Sequence, residues 1–392
     1  MIYSKLFNMN PEKLLITVII LFIMAGCGGS KQSTDDFITV DVTQRYPKKE
    51  LILQDFMDVE YIALETTDEF LCQGMVQDIG KSIIVITNQF EDGDIFIFNI
   101  NGKGIRKFNR RGSGNEEYGN IYGITLDEDS GEIFVYDGQK IMVYDFFGLF
   151  KRRIPYNEGY NYTNIYNFSK DNLICDDRTL GWDQKSSDNP PFIIISKVDG
   201  SIVHKIEIPY KQKILPMITR QIGNSGGLAI SVYRHDPIIP YHDNWILTEP
   251  SSDTIFRILS DYNLIPFIVR TPVIQSMDPE IFLFPKILTD RFYFLETAKK
   301  EERNFQKTDL LYDRQENKIY EYAVYNDDYS TKQRMSMTWK TKNDGIIYWQ
   351  KIESFQLVEA YKKGELKGRL KEIAAGLDAE DNPVIMLVKH KK

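Results

Sequence analysis

Residues 109–126, NRRGSGNEEYGNIYGITL, bring two arginines, two glutamates and a run of glycines into one short stretch. A glycine-rich loop can free backbone N–H groups to cradle a phosphate, and paired arginines can grip a carboxylate or sulfate through bidentate hydrogen bonds. A phosphate cradle of the P-loop kind needs Lys-Ser or Lys-Thr after its last glycine and a helix beyond. Here Asn120 and Ile121 follow Gly119 and a strand-like segment comes next, which excludes it. Two readings of the charges remain. Arg110 and Arg111, with Glu117 and Tyr118 across the loop, contact a ligand, or the arginines pair with Glu116 or Glu117 and brace the loop.

Three other constellations have chemistry available to them. His235 and His242 sit in YRHDPIIPYHDNW, each followed by an aspartate, and two His-Asp pairs can supply metal ligands or a general base. Their spacing fits no defined metal motif, and His-Asp beside proline is also turn chemistry. Asp127, Asp129 and Gly131 open a D-x-D-x-G calcium loop, but its twelfth position is Gly138 where a glutamate is required, so a hairpin turn is the competing reading. Tyr156, Tyr160, Tyr162 and Tyr166, interleaved with asparagines, suit sugar stacking or, equally, packing between sheets. The chain carries no CxxC or H-E-x-x-H.

The elements that must position these groups are strands. IFIFNING (95–102) and IMVYDFFG (141–148) match in residue type at an offset of 46, each an alternating strand ended by a polar turn and glycine. FIIISKVDG, DTIFRILSDYN and TDLLYDRQEN are further copies, and KSIIVITN, GEIFVYDG, NLICDD, NWILTEP and RFYFLET each precede one. That spacing suits a four-stranded propeller blade. Five copies plus a closing unit (MSMTWKT, GIIYWQ, VIMLVKH) predict an all-β, six-bladed β-propeller of four-stranded blades over residues 51–392. The N-terminal DVEYIALET is expected to donate the missing strand and close the ring, which removes exposed sheet edges. Leu366, Leu370, Ile373 and Leu377 share a helical face, stopped by Asn382-Pro383, and predict one helical insertion against the rim. The glycine stretch then falls between the last strand of one blade and the first of the next.

That segment resembles the NHL-type repeat through Gly112, Gly114, Tyr118, Asp127, Gly131, Val135, Asp137, Tyr144, Asp145 and Gly148. Over nearly the whole chain the sequence resembles the six-bladed β-propeller lipoproteins of Bacteroidetes-type bacteria. VEYIALET, RRGSGNEEYGNI, the cysteine described next and LKEIAAGLDAEDNPVIMLVKHKK carry this likeness. The resemblance implies the fold and little about activity.

The N-terminus supplies an address. Lys5 and Lys13 precede an apolar run from Leu14 to Met24, of signal-peptide length, and MAGCGGS then resembles a lipobox, with residues 1–26 removed and Cys27 acylated. Residues 27–50, which begin small and polar, are expected to form a flexible tether. Loss of Lys5, Glu12 and Lys13 leaves 46 basic and 55 acidic residues, a net charge of about −9. So acidic a body argues against nucleic-acid partners and against electrostatic adhesion to anionic lipid. The remaining cysteines, Cys72 and Cys175, are expected as buried free thiols. The composite expectation is a body tethered by lipid to the cell envelope, at the outer membrane, that binds a peptide, protein or glycan without catalysis or cofactor. Two rivals stand beside it: a calcium-dependent lactonase or esterase with inward-facing carboxylates around the axis, and a scaffold subunit with a broad apolar face.

Overall fold

The computed structural model describes residues 37–88, 92–177, 189–222, 227–337 and 346–391. The expected signal peptide and Cys27 lie outside these. Blade 1 consists of Met75–Ile79, Ile83–Thr87, Asp94–Asn99 and Gly104–Asn109, hydrogen-bonded in that order. Blade 2 (Gly123–Asp127, Glu132–Tyr136, Lys140–Asp145, Phe150–Pro155) and blade 3 (Tyr162–Asn167, Asn172–Asp177, Phe192–Ser196, Ile202–Ile206) repeat it. Blade 4 is built from Ile238–Tyr241, Asn244–Leu247, Thr254–Ile258 and Leu264–Thr271, and blade 5 from Ile281–Leu288, Phe292–Lys300, Phe305–Asp313 and Lys318–Asn326. The five sequence landmarks are the third strands of these blades, and the segments preceding them are the second strands.

Second and third strands read as continuous apolar runs because both of their faces are covered by neighbouring blades. Every residue of Ile83–Thr87 and Glu132–Tyr136 is buried. Fourth strands lie at the rim and are largely open to solvent, as in Gly104–Asn109. A register shift recurs where the third strand meets the fourth, at Ile97/Phe98, Val143/Tyr144, Ile194/Ile195 and Ile255/Phe256. Such bulges add local twist at the same place in each repeat.

In blade 6, Tyr348–Ile352 pairs with Val384–His390, which pairs with the N-terminal Met57–Ala63, Tyr61 facing Met386. The ring closes as expected, and the result is a six-bladed β-propeller. The expected first strand of this blade, MSMTWKT, lies mostly outside the described residues; its Met335 ends the short strand Gln333–Met335, which pairs with blade 5.

One expectation needs correcting. The stretch 27–50, expected as a tether, contains built structure: Ile38–Asp41 lies beside the last strand of blade 4 and Lys48–Ile52 runs parallel to the last strand of blade 5. The expected C-terminal helical insertion is present and consists of two helices, Ser354–Lys362 and Gly368–Ala374, with the break marked by left-handed Gly364 (φ 71°) and by Gly368 (φ 50°) at the start of the second. Leu357, Leu366, Leu370 and Ala374 bury against a cluster with Met57, Phe292 and Val384, so these helices seal the seam between blades 5 and 6. An inserted two-stranded hairpin, Met217–Ile222 with Gly227–Val232, belongs to no blade. Cys72 and Cys175 are buried free thiols, and burial pushes both up. Among the described residues no helix is long and apolar enough to cross a membrane.

Candidate binding face

Strand direction sorts every candidate onto one of two faces. First strands begin and fourth strands end on one face, called here the upper; turns joining first to second strands lie on the lower. The glycine loop is on the upper face between blades 1 and 2. Tyr118 is fully buried there, its hydroxyl donating to Gly93 O at 2.6 Å and accepting from Arg110 N at 2.9 Å. Burial pushes its phenol up to about 12. Glu117 turns back on its own loop and accepts from Gly114 N at 2.8 Å. Arg110 Nε donates to Gly148 O at 3.0 Å, bridging to blade 2. The loop is therefore braced, but by Glu117 and Tyr118 on backbone groups instead of by arginine–glutamate pairs. Arg110 and Arg111 remain on the surface; Glu117 and Tyr118 are withdrawn as ligand contacts.

The tyrosine run is likewise interior. Tyr162 is 1% exposed, stacks on Tyr156 at 4.4 Å between centroids, and accepts a hydrogen bond from Asn157 Nδ2 at 2.7 Å. Tyr160 is half-buried in the same seam between blades 2 and 3, with Lys205 over its ring. No open stacking platform exists at Tyr160 and Tyr162, so the sugar-stacking expectation is corrected to inter-blade packing.

His235 and His242 lie on opposite faces. His235 stacks on Phe284 at 4.4 Å on the upper side. His242 occupies the tight lower turn of blade 4 with φ 50°, its Nε2 3.2 Å from Asp290 Oδ1. They cannot share a metal ion, and among the described residues no group of three or more His, Cys, Asp or Glu is arranged to hold one.

Asp127 and Asp129 sit in the turn between the first two strands of blade 2, with Gly131 left-handed at φ 65°. Asp127 Oδ2 takes Lys197 Nζ at 2.6 Å, and its Oδ1 accepts from Ser130 N at 3.2 Å. The turn borders an axial cavity of about 640 Å³ on the lower face, lined by residues that include Asp78, Asn167 and Trp245. Asp78 accepts from Leu126 N at 2.8 Å, and Glu128 from Ser82 N at 2.8 Å. These carboxylates link blade 1 to blade 2 and blade 2 to blade 3, so the D-x-D-x-G motif is a structural turn.

The feature that stands open is the hairpin. Leu228, Ile230 and Val232 alternate along its second strand, hence share one face, and are 60%, 52% and 44% exposed. Its stem is anchored by Tyr233, which stacks on Phe284 at 5.0 Å and donates to Glu296; Lys286 Nζ lies 2.9 Å from the same carboxylate. Burial pushes Glu296 up to about 7 and Lys286 down to about 8. Beside the stem, on the upper face, a cavity of about 90 Å³ opens between Met217 and Val232 on one side and Pro191 and Phe192 of blade 3 on the other. The Lys213–Glu249 pair, 2.9 Å apart, and Thr248 supply its polar wall. The sequence signal for this hairpin was available: LAISV alternates after the turn-forming GNSGG.

A sequence model of the family described as "6-bladed beta-propeller", DUF5128, matches residues 29–349. Among solved structures, a "Putative exported protein" of Bacteroides fragilis is 14% identical with a TM-score of 0.58, covering 91% of this chain and 100% of that one. Virginiamycin B lyase of Staphylococcus aureus, also 14% identical, has a TM-score of 0.32 and covers 67% of this chain and 98% of its own. The Pan2 WD40 domain of Neurospora crassa is 8% identical at a TM-score of 0.34, covering 77% and 91%. No curated protein matches.

Proposed function

The chain belongs to the six-bladed β-propeller family DUF5128, and from that premise we propose that it is a non-catalytic binding module, tethered by lipid at Cys27 to the cell envelope at the outer membrane, whose ligand is an extended apolar peptide segment of a partner protein. The observation that carries this reading is the exposed stripe Leu228–Ile230–Val232 on a two-stranded sheet beside an apolar cavity. The hairpin pairs with no blade, so its exposed apolar face is open to a partner. A two-stranded sheet also offers edge N–H and C=O groups to an incoming strand, while the neighbouring cavity gives a pocket for one side chain. Glycan recognition has less support, because the tyrosines that would stack sugars are interior. A calcium-dependent hydrolase has less as well, because Asp127 and Asp78 already serve inter-blade bonds.

The test is selection of apolar peptides by the purified protein, with affinity read by fluorescence anisotropy. Replacing Leu228, Ile230 and Val232 together by serine is expected to weaken the selected peptide at least about tenfold, roughly 1.4 kcal/mol. The melting temperature should barely move, since all three side chains already face solvent. Failure to select any peptide, or an affinity indifferent to the triple substitution, rejects the reading.

A further inference from the structure

The turn joining the third and fourth strands of blade 2 projects Phe147 and Leu149, which are 65% and 58% exposed. Its shape is fixed from within: Asp145 Oδ1 accepts from Phe147 N at 2.8 Å and from Leu149 N at 2.9 Å. That cap needs no apolar side chain. In blade 1 Asn99 caps the same turn and Asn101 stands in the place of Phe147; in blade 5 Asp313 caps it and Gln315 stands there. Polar residues are what such turns ordinarily select, so the apolar pair in blade 2 is not a requirement of the repeat. Blade 3 adds Val198, 73% exposed, from its own turn.

Cations surround this tip. Arg110 Nε donates at 3.0 Å to Gly148 O, between the two apolar residues. Lys151 and Arg153 follow Leu149 at two-residue spacing, hence on its side of the strand, and both are exposed. The fourth strands of blades 1, 2 and 3 carry Arg106, Lys107, Lys151, Arg152, Arg153 and Lys205 and no acidic residue. The outer strand of blade 6, by contrast, carries Asp58 and Glu60. The net negative charge of the chain therefore conceals a basic sector. Two carboxylates beside it are already engaged: Glu132 takes Lys151 and Arg152 at 2.7 Å each, and Glu117 is turned onto Gly114 N. Among the described residues Arg111 and Arg153 make no ion pair.

Two side chains cover far less than the roughly 1,000 Å² that a stable protein interface needs. A bilayer asks only for a few apolar side chains at acyl depth, with cations at the level of anionic headgroups. We propose that the blade 2 tip is a membrane-docking point, at which Phe147 and Leu149 enter an anionic bilayer while Arg110, Arg111 and Arg153 meet its phosphates. The contact does not depend on acylation of Cys27. It would orient the disc, with blade 2 toward the lipid and blade 5, across the ring, away from it.

The full chain is labelled with an environment-sensitive nitrobenzoxadiazole dye at Leu149→Cys or, separately, at Gln315→Cys in the matching turn of blade 5. Cys72 and Cys175 are buried, and the unsubstituted chain treated alike gives the background. Vesicles are phosphatidylcholine alone or mixed with phosphatidylglycerol. On the mixed vesicles the blade 2 dye is expected to shift to the blue and become shielded from iodide, while the blade 5 dye stays in water. Phe147→Ser should lower the docked-to-free ratio about tenfold or more, the burial of its ring being lost. Arg111→Gln and Arg153→Gln should each lower it about fivefold on mixed vesicles and leave neutral ones unaffected. Equal shielding of the two dyes would mean general adhesion, and shielding in blade 2 without vesicles would mean that a second copy covers the tip. Either result, or a blade 2 dye that stays in water, overturns the proposal.

Discussion

Replacing Lys197 by methionine is expected to destabilise the protein by about 3–5 kcal/mol at pH 7, the cost of stranding a buried charge. Lys197 and Asp127 are 5% and 7% exposed in their side chains and 2.6 Å apart, joining blade 3 to blade 2. Burial pushes the Asp127 carboxyl up, but Lys197 and Ser130 together outweigh it and the net shift is downward. With a folded value below the unfolded one, this carboxylate stabilises the fold above its unfolded pKa and loses that contribution as pH falls through the folded value. In the variant the sign reverses. Burial then acts without Lys197, the folded value rises, and the penalty is relieved once Asp127 takes up a proton. The gap between wild type and Lys197→Met should therefore narrow between pH 7 and pH 4, read as urea midpoints at constant m. Adding Asp127→Asn should recover most of the loss. A single variant that costs under about 1 kcal/mol would place this pair with ordinary surface ion pairs and sink the argument.

The parts of this fold legible in the sequence are those set by short-range chemistry. A blade's second and third strands announce themselves, because burial on both faces demands uninterrupted Ile, Val and Phe, as in IIVIT and IFIFN. The turn between third and fourth strands announces itself through Asn or Asp and a left-handed glycine. What the sequence hid depends on distant partners. Tyr118 and Tyr162 look like surface tyrosines until the neighbouring blade covers them, and only their hydroxyl bonds to backbone or asparagine make that burial tolerable. The strands Ile38–Asp41 and Lys48–Ile52 read as linker because edge strands are short and charged, Pro47, Lys48 and Lys49 included, which is how open edges are kept from pairing elsewhere. The helix Ser354–Lys362 was hidden because Phe355 faces solvent while Leu357 is its one fully buried apolar residue. The opposite placement of His235 and His242 needed strand direction, which seven residues of spacing cannot show.

Gly102→Ala is expected to cost about 3 kcal/mol or more, combining left-handed strain with a backbone clash. Gly102 closes the first landmark at φ 84°, and a Cβ built there would sit 2.1 Å from the carbonyl oxygen of Ala63. Ala63 ends the N-terminal strand that completes blade 6, and Glu65 N donates to Gly102 O at 2.8 Å just beyond it. The repeat's glycine therefore has a second duty besides its turn: it lets blade 1 press on the strand that seals the ring. Gly148 and Gly200 occupy the same place against Phe108 and Ile154 of the preceding blades, each with a side-chain carbon 2.6 Å from the added Cβ. Those contacts are chiefly with side chains that can swing aside, whereas the Ala63 carbonyl can move only with its strand. Gly131 supplies the control, being left-handed at φ 65° with nothing within 4 Å. Gly131→Ala should cost only the conformational part, about 1–2 kcal/mol. Hydrogen exchange along Met57–Ala63 should accelerate in Gly102→Ala and stay unchanged in Gly131→Ala, because local opening follows the contacts that hold each segment. Equal costs at the two glycines would mean that the ring is held by its strand pairing alone, with Tyr61 to Met386 and its neighbours sufficient to keep it shut.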